Sequence, residues 1–185
     1  MRAALLAFGL FALAACSPGA AAPEAPAASR LEVGFSPDGS AEKLVLDSIN
    51  SARASIRLAA YSFTAPPVVR ALVGAKRRGV DVAVLVDHKH NIQQDKSGKA
   101  KAALNLLVNA GIPTRTVAAF SIQHSKYAVI DGQHVQTGSY NYSASAARFN
   151  SENVLVVWNH AGLARAYLDN WQQLYERGQP YNAAY

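Results

Sequence analysis

Residues 80–87, VDVAVLVD, form a nearly unbroken apolar run bounded by Gly79 on one side and a polar stretch on the other. A short run of this kind, too apolar to alternate, suits a strand covered on both faces, as parallel sheets flanked by helices require. The chain before it repeats the theme. LEVGF (31–35) alternates weakly as a first strand. Leu44, Val45, Leu46, Ile49 and Ala52 then line one side of a helix over about 41–53, with Ser40 as candidate N-cap and Glu42 where the helix dipole favours an anion. SIRLAAYSF (55–63) is the second strand, and Pro66 and Pro67 open a helix that runs to Arg78 and stops at Gly79. Strand, helix, strand, helix, strand implies crossovers. The expected fold class is therefore α/β, a mixed, mainly parallel β-sheet flanked by helices on both faces.

The rest of the chain adds a helix at 101–111 closed by Gly111, a strand at 112–117, a short helix or loop at 143–150 and a strand at 152–158. Residues 161–177 read as an amphipathic helix in which Leu163, Tyr167, Trp171 and Leu174 share one side, suited to a core or a subunit contact. With 185 residues, half of them apolar, the chain makes one globular domain, expected over 31–185.

The first 15 residues carry Arg2 and then no charge through Ala15. About 20 apolar residues span a bilayer, so this stretch suits a cleaved signal peptide instead. Leu13-Ala14-Ala15-Cys16 resembles a bacterial lipobox, which makes Cys16 a candidate lipid anchor, with ordinary signal cleavage nearby as the alternative. Residues 16–30, rich in Ala and Pro, read as a flexible tether. The expected location is extracytoplasmic, in the periplasm.

Cys16 is the only cysteine, which excludes an intrachain disulfide and any cysteine-based metal site. A formal charge of +6 favours anionic polymers. In the polar stretch after the buried strand, His88, Lys89, His90, Lys96 and Lys99 can meet a polyanion or simply face solvent. His88 and His90 lack a third ligand at useful spacing, so no metal or other cofactor is expected.

Chemistry concentrates between Gln123 and Asn141, QHSKYAVIDGQHVQTGSYN, whose skeleton is HxK(x4)D(x6)GSxN. SKYAVI and HVQTG read as two strands joined at Asp131-Gly132. Two-residue spacing sends His124 and Lys126 to one face, and Gly138, Ser139 and Asn141 return beside them. An imidazole, a cation, a hydroxyl and an amide around a close-approach glycine make a cup for a phosphodiester. Tyr140 and Tyr142, flanking Asn141, suit either the groove or the core.

These six positions resemble the HKD signature of the phospholipase D superfamily. The resemblance extends through GFSPDGSAEKLVLDSI, SIRLAAYSFTAP, ALVGAKRRGVDV, GIPTRT and NSENVLVVWN to the small bacterial endonucleases that carry a single motif. It implies His124, Lys126 and Asp131 as the catalytic set, with Gly138, Ser139, Asn141 and Glu152 binding or orienting the phosphate. Glu152 would hydrogen-bond the catalytic histidine. Asp131, at the first position of a turn, suits orientation or structure better than acid–base work. The implied reaction is metal-independent: one histidine attacks phosphorus, a second protonates the leaving oxygen, and water releases the phosphohistidine. One motif per chain then requires a homodimer with a shared site. DNA, and RNA as a further candidate, is the expected substrate, with little sequence preference because no base-reading element is present. The rivals are a phospholipase acting on phosphatidyl head groups and a non-catalytic nucleic-acid-binding lipoprotein.

Overall fold

The computed structural model describes residues 28–183, so the leader, Cys16 and most of the tether lie outside the described residues. In chain order the elements are β1 (Arg30–Ser36), α1 (Ser40–Ser51), β2 (Ser55–Ala60), α2 (Pro66–Arg77) and β3 (Asp81–Asp87). A π-helical turn (Lys89–Gln93) follows, then α3 (Lys99–Asn109), β4 (Thr114–Val117), β5 (Tyr127–Ile130) and β6 (His134–Gly138). The chain finishes with α4 (Ala144–Arg148), β7 (Glu152–Trp158), α5 (Ala161–Arg177) and β8 (Gln179–Pro180).

All eight strands join one open mixed sheet in the order β1-β7-β6-β5-β2-β3-β4-β8. The parallel character expected of it is confined to β2-β3-β4; the other five pairings are antiparallel. The cause is where the last strands go. The β5–β6 hairpin and β7 insert beside β2, and they displace β1 to the far edge, antiparallel to β7.

Alternation decides which helix each strand face meets. Ile56, Leu58, Val82, Val84, Ala128 and Ile130 pack under α1, α2 and α3 in the larger core cluster. Ala59, Leu85, Tyr127, Val129 and Val135 point the other way, under α5. Trp171 anchors that helix, with its indole N–H donating to the Leu58 carbonyl at 3.0 Å. Tyr140 and Tyr142 are wholly buried, the latter donating to Gln136 Oε1, so both belong to the core. Ser40 does not cap α1 as expected. Its hydroxyl accepts from Phe35 N at 2.8 Å, tying the helix start to β1, while Asp38 takes the Ser40 N–H.

The hairpin turn is a three-residue loop, with Asp131 and Gly132 both at positive φ. Asp131 is corrected here from the catalytic set. It sits at the opposite end of β5 from His124, where its carboxylate accepts the backbone N–H groups of Arg53 (2.9 Å), Ala54 (2.7 Å) and Ser55 (2.8 Å). Asp131→Asn is expected to cost about 1–3 kcal/mol of stability at neutral pH, read by urea unfolding, and to leave turnover per folded molecule intact. Burial alone raises the Asp131 pKa, but those three amides and His134 bring it below 3.8 on balance. A lowered folded-state pKa contributes stability above the unfolded value and loses it as pH falls through the folded one. The gap between variant and wild type therefore narrows as the solution is taken below pH 3.8.

Candidate active site

The start of β5, the end of β6 and the first residue of β7 meet at one end of these strands, beside α5, around an open cleft of about 820 Å³. His124, Lys126, Gly138, Ser139, Asn141 and Glu152 all line it, so the expected cup assembles apart from Asp131. His124 and Lys126 lie in the extended segment just before β5, not within the strand.

Lys126 is only 7% exposed, and its ammonium donates to the His124 carbonyl at 2.6 Å. No carboxylate lies within ion-pair distance of it among the described residues. Burial lowers its pKa, and the charge of Glu152 offsets part of that shift. A buried cation held by one carbonyl and facing a cleft is a site for an anion. Asn141 also lines the cleft; its Oδ1 is buried without a hydrogen-bond partner among the described residues, and its side-chain N–H group is the part able to donate to an anion.

Ser139 and Glu152 are coupled. The serine hydroxyl donates to Glu152 Oε2 at 2.6 Å and accepts from the Asn153 backbone N–H at 3.1 Å. Glu152 Oε1 accepts from the Asn150 side chain at 2.9 Å. The carboxylate thus orients Ser139, and within one chain it hydrogen-bonds no ring nitrogen of His124. Gly138 permits this closeness. Its φ is +148°, and a Cβ there would lie 2.2 Å from the Asn153 carbonyl oxygen.

His124 itself is exposed, and no described residue hydrogen-bonds its ring. Its ring packs against Tyr61, with centroids 4.7 Å apart, and the Lys126 ammonium lies 5.1 Å from the same Tyr61 ring. The loops behind are braced by two buried polar residues. Asp87 accepts the Gln123 N–H at 2.7 Å and the His90 N–H at 2.6 Å. Asn91 donates to the carbonyls of Tyr61 and Asp87 and accepts the Phe63 N–H. Tyr61, Asp87 and Asn91 were not singled out from sequence. The signal available was a carboxylate closing an otherwise apolar strand, a costly place for a charge unless it is fully bonded. His88 and His90 go separate ways, the first to Thr116 Oγ1 and the second onto Tyr61. No group of three or more His, Cys, Asp or Glu side chains gathers in metal-holding fashion among the described residues.

The family model described as "Cardiolipin synthase, PLD-like domain" matches residues 45–175, which contain every residue of the cleft named above. The chain belongs to the phospholipase D superfamily. Nuc from Salmonella typhimurium, a phospholipase D family member, has a crystal structure similar to this one with a TM-score of 0.81 and 45% identity, covering 84% of this chain and 99% of Nuc. Phospholipase D of Rickettsia bellii is 36% identical over 143 residues, which is 77% of this chain and 68% of that relative. Mitochondrial cardiolipin hydrolase of Xenopus laevis is 30% identical over 141 residues, covering 76% of this chain and 64% of that protein. As a superfamily member the chain is a phosphodiesterase, a hydrolase of phosphodiester bonds.

Proposed function

We propose that this phosphodiesterase is a homodimeric endonuclease that cuts DNA, with RNA as a further candidate substrate, without reading sequence. The observation that carries the phosphodiester chemistry is the buried, carboxylate-free Lys126 ammonium beside His124 in one cleft. Lys126 and the side-chain N–H group of Asn141 hold the non-bridging oxygens, and Ser139 and Glu152 shape the wall against which the phosphate rests. His124 of one copy attacks phosphorus, and His124 of the other copy protonates the departing oxygen. The second histidine then takes a proton from water, whose oxygen displaces the first from phosphorus. Nucleic acid as the polymer is supported by the likeness to Nuc and by the formal charge of +6.

Support for the dimer comes from an uncovered apolar face. Leu31, Val33 and Phe35 are 66%, 64% and 54% exposed on β1. Pairing puts Val33 beside Leu155, and Leu155 beside Thr137, a residue of the cleft wall. The strip thus runs along the sheet face beyond the reach of α5 and into the cleft, so a copy seated on it carries its own His124 toward the first. Val33→Asp, a change at an exposed position, is expected to weaken self-association by about 100-fold or more, because it buries a charge at the contact. Light scattering should show monomers, and cleavage should fall with the dimer. A monomer that cuts at the wild-type rate would rule out the shared site.

A second reading, hydrolysis of phosphatidyl lipids, is favoured by the names of the Rickettsia and Xenopus relatives. One experiment separates the two. Plasmid DNA, RNA and phospholipid vesicles are each incubated with the protein in excess EDTA; nicking of the plasmid without release of head group is the expected result. Cutting that EDTA abolishes and added Mg restores would overturn the metal-free mechanism. The same proposal places the enzyme in the periplasm, delivered by residues 1–15 and anchored through Cys16, which the mass of the mature amino terminus tests.

A further inference from the structure

We propose that a second cavity, next to the catalytic cleft, is a subsite for the nucleotide flanking the scissile phosphate. The inference rests on the nuclease reading and adds to it a place and a ligand. The cavity measures about 640 Å³ and lies between the start of α2, the π-helical turn, α3 and the segment that enters α4. That is within the range of about 300–1,000 Å³ that small-ligand sites occupy.

The linings of the two spaces are linked through Tyr61. Tyr61 lies between two imidazoles, 4.7 Å from the His124 ring in the cleft and 4.4 Å from the His90 ring, which borders the cavity. Tyr61 and His90 are inclined by only 33°. Across from them, Asn141 lines the cleft and Ser143 lines the cavity, joined by a 2.7 Å hydrogen bond from the Ser143 N–H to the Asn141 carbonyl. A strand whose phosphate sits at His124 can therefore continue over the Tyr61 and His90 rings and into the cavity.

The lining fits a nucleotide. Val69, Ala103 and Leu106 supply an apolar floor for the face of a base, while Lys96, Lys99 and His90 stand at the rim for its phosphate. Lys96 and Lys99 are exposed, and neither has an ion-pair partner among the described residues. Asp95 is the one acidic residue in the lining, and its carboxylate is committed to the Ser97 hydroxyl and the Ala100 N–H. A lipid acyl chain would use the apolar floor but neither the cationic rim nor the aromatic path.

The test is binding of a fluorescent single-stranded hexanucleotide to the full chain, read by anisotropy, alongside a cleavage assay. Ala102→Trp projects bulk into the cavity from an exposed position without changing charge, and Lys99→Glu reverses a rim charge. Each is expected to raise Kd at least tenfold. Lys43→Glu, on α1, removes the same charge away from the cavity and is expected to change Kd less than twofold. Equal weakening by both charge reversals, or no binding by the wild type, overturns the subsite. So does an Ala102→Trp variant that loses vesicle hydrolysis and keeps its affinity for the hexanucleotide. A wild type that binds the hexanucleotide but never cuts it, with Kd raised in the cavity variants, upholds the subsite and refutes the nuclease.

Discussion

His124→Ala is expected to abolish strand scission, lowering single-turnover cleavage by roughly 10⁴-fold or more, while the Kd for DNA stays within about threefold of wild type. The size of the effect follows from chemistry: removing an attacking imidazole leaves no second group in the cleft able to take its place at phosphorus. The spared affinity follows from geometry. Lys126 and Asn141 remain to hold the phosphate, and His124 is an exposed ring resting on Tyr61, so its loss opens no buried cavity. Mixed dimers carrying one His124→Ala chain are expected to be as inert as the pure variant, because the proposed shared site takes one imidazole from each copy. Residual cutting within tenfold of wild type would remove His124 from the reaction.

Lys126→Met is expected to lower cleavage by about 10²–10³-fold, the usual cost of deleting one donor aimed at developing negative charge. The same change is expected to stabilise the fold by about 1 kcal/mol at neutral pH, since it replaces a buried, carboxylate-free cation with an apolar chain of similar length. Activity and stability moving in opposite directions is the signature to look for, in single-turnover rates and urea unfolding respectively. The pH dependence has a definite sign. Burial holds the Lys126 pKa below 10.5 in the folded protein. The ammonium is present below that lowered pKa and disappears as pH rises through it, so the alkaline limb of cleavage begins below pH 10.5. In the same interval the stability cost of burying the charge is relieved, and the advantage of the methionine variant shrinks. A variant that cuts as fast as wild type, or unfolds more easily at neutral pH, would show that Lys126 is structural.

Much of the site could be read residue by residue, because its members lie within one hairpin. His124, Lys126, Gly138, Ser139 and Asn141 are local in sequence, and a strand that turns back on itself must bring its two ends together. Glu152 joins them as the first residue of the strand paired with β6. The supports of the site could not be read that way. Tyr61 follows β2, Asp87 ends β3 and Asn91 lies in the π-helical turn, and they come to support the segment that carries His124 only because β5 inserts beside β2. Asp131 shows the reverse error. It belongs to the motif as written, yet the four residues of β5 separate its turn from the cleft.

Local pattern was enough for the elements themselves. Apolar periods of two and of 3.6 residues, with glycine and proline at the boundaries, are properties of the adjacent chain, so the longer strands and helices and the hairpin motif were determined by the sequence alone, while the π-helical turn and β8, which lack such a period, were not. Strand order was not, since any apolar strand can pair with any other and only the competition for a common core selects among the arrangements. That competition sent β1 to the edge with three apolar side chains uncovered, turned Glu152 toward Ser139, and set Tyr61 between two histidines. Those placements depend on distances between residues far apart in the chain, which only the packed sheet specifies.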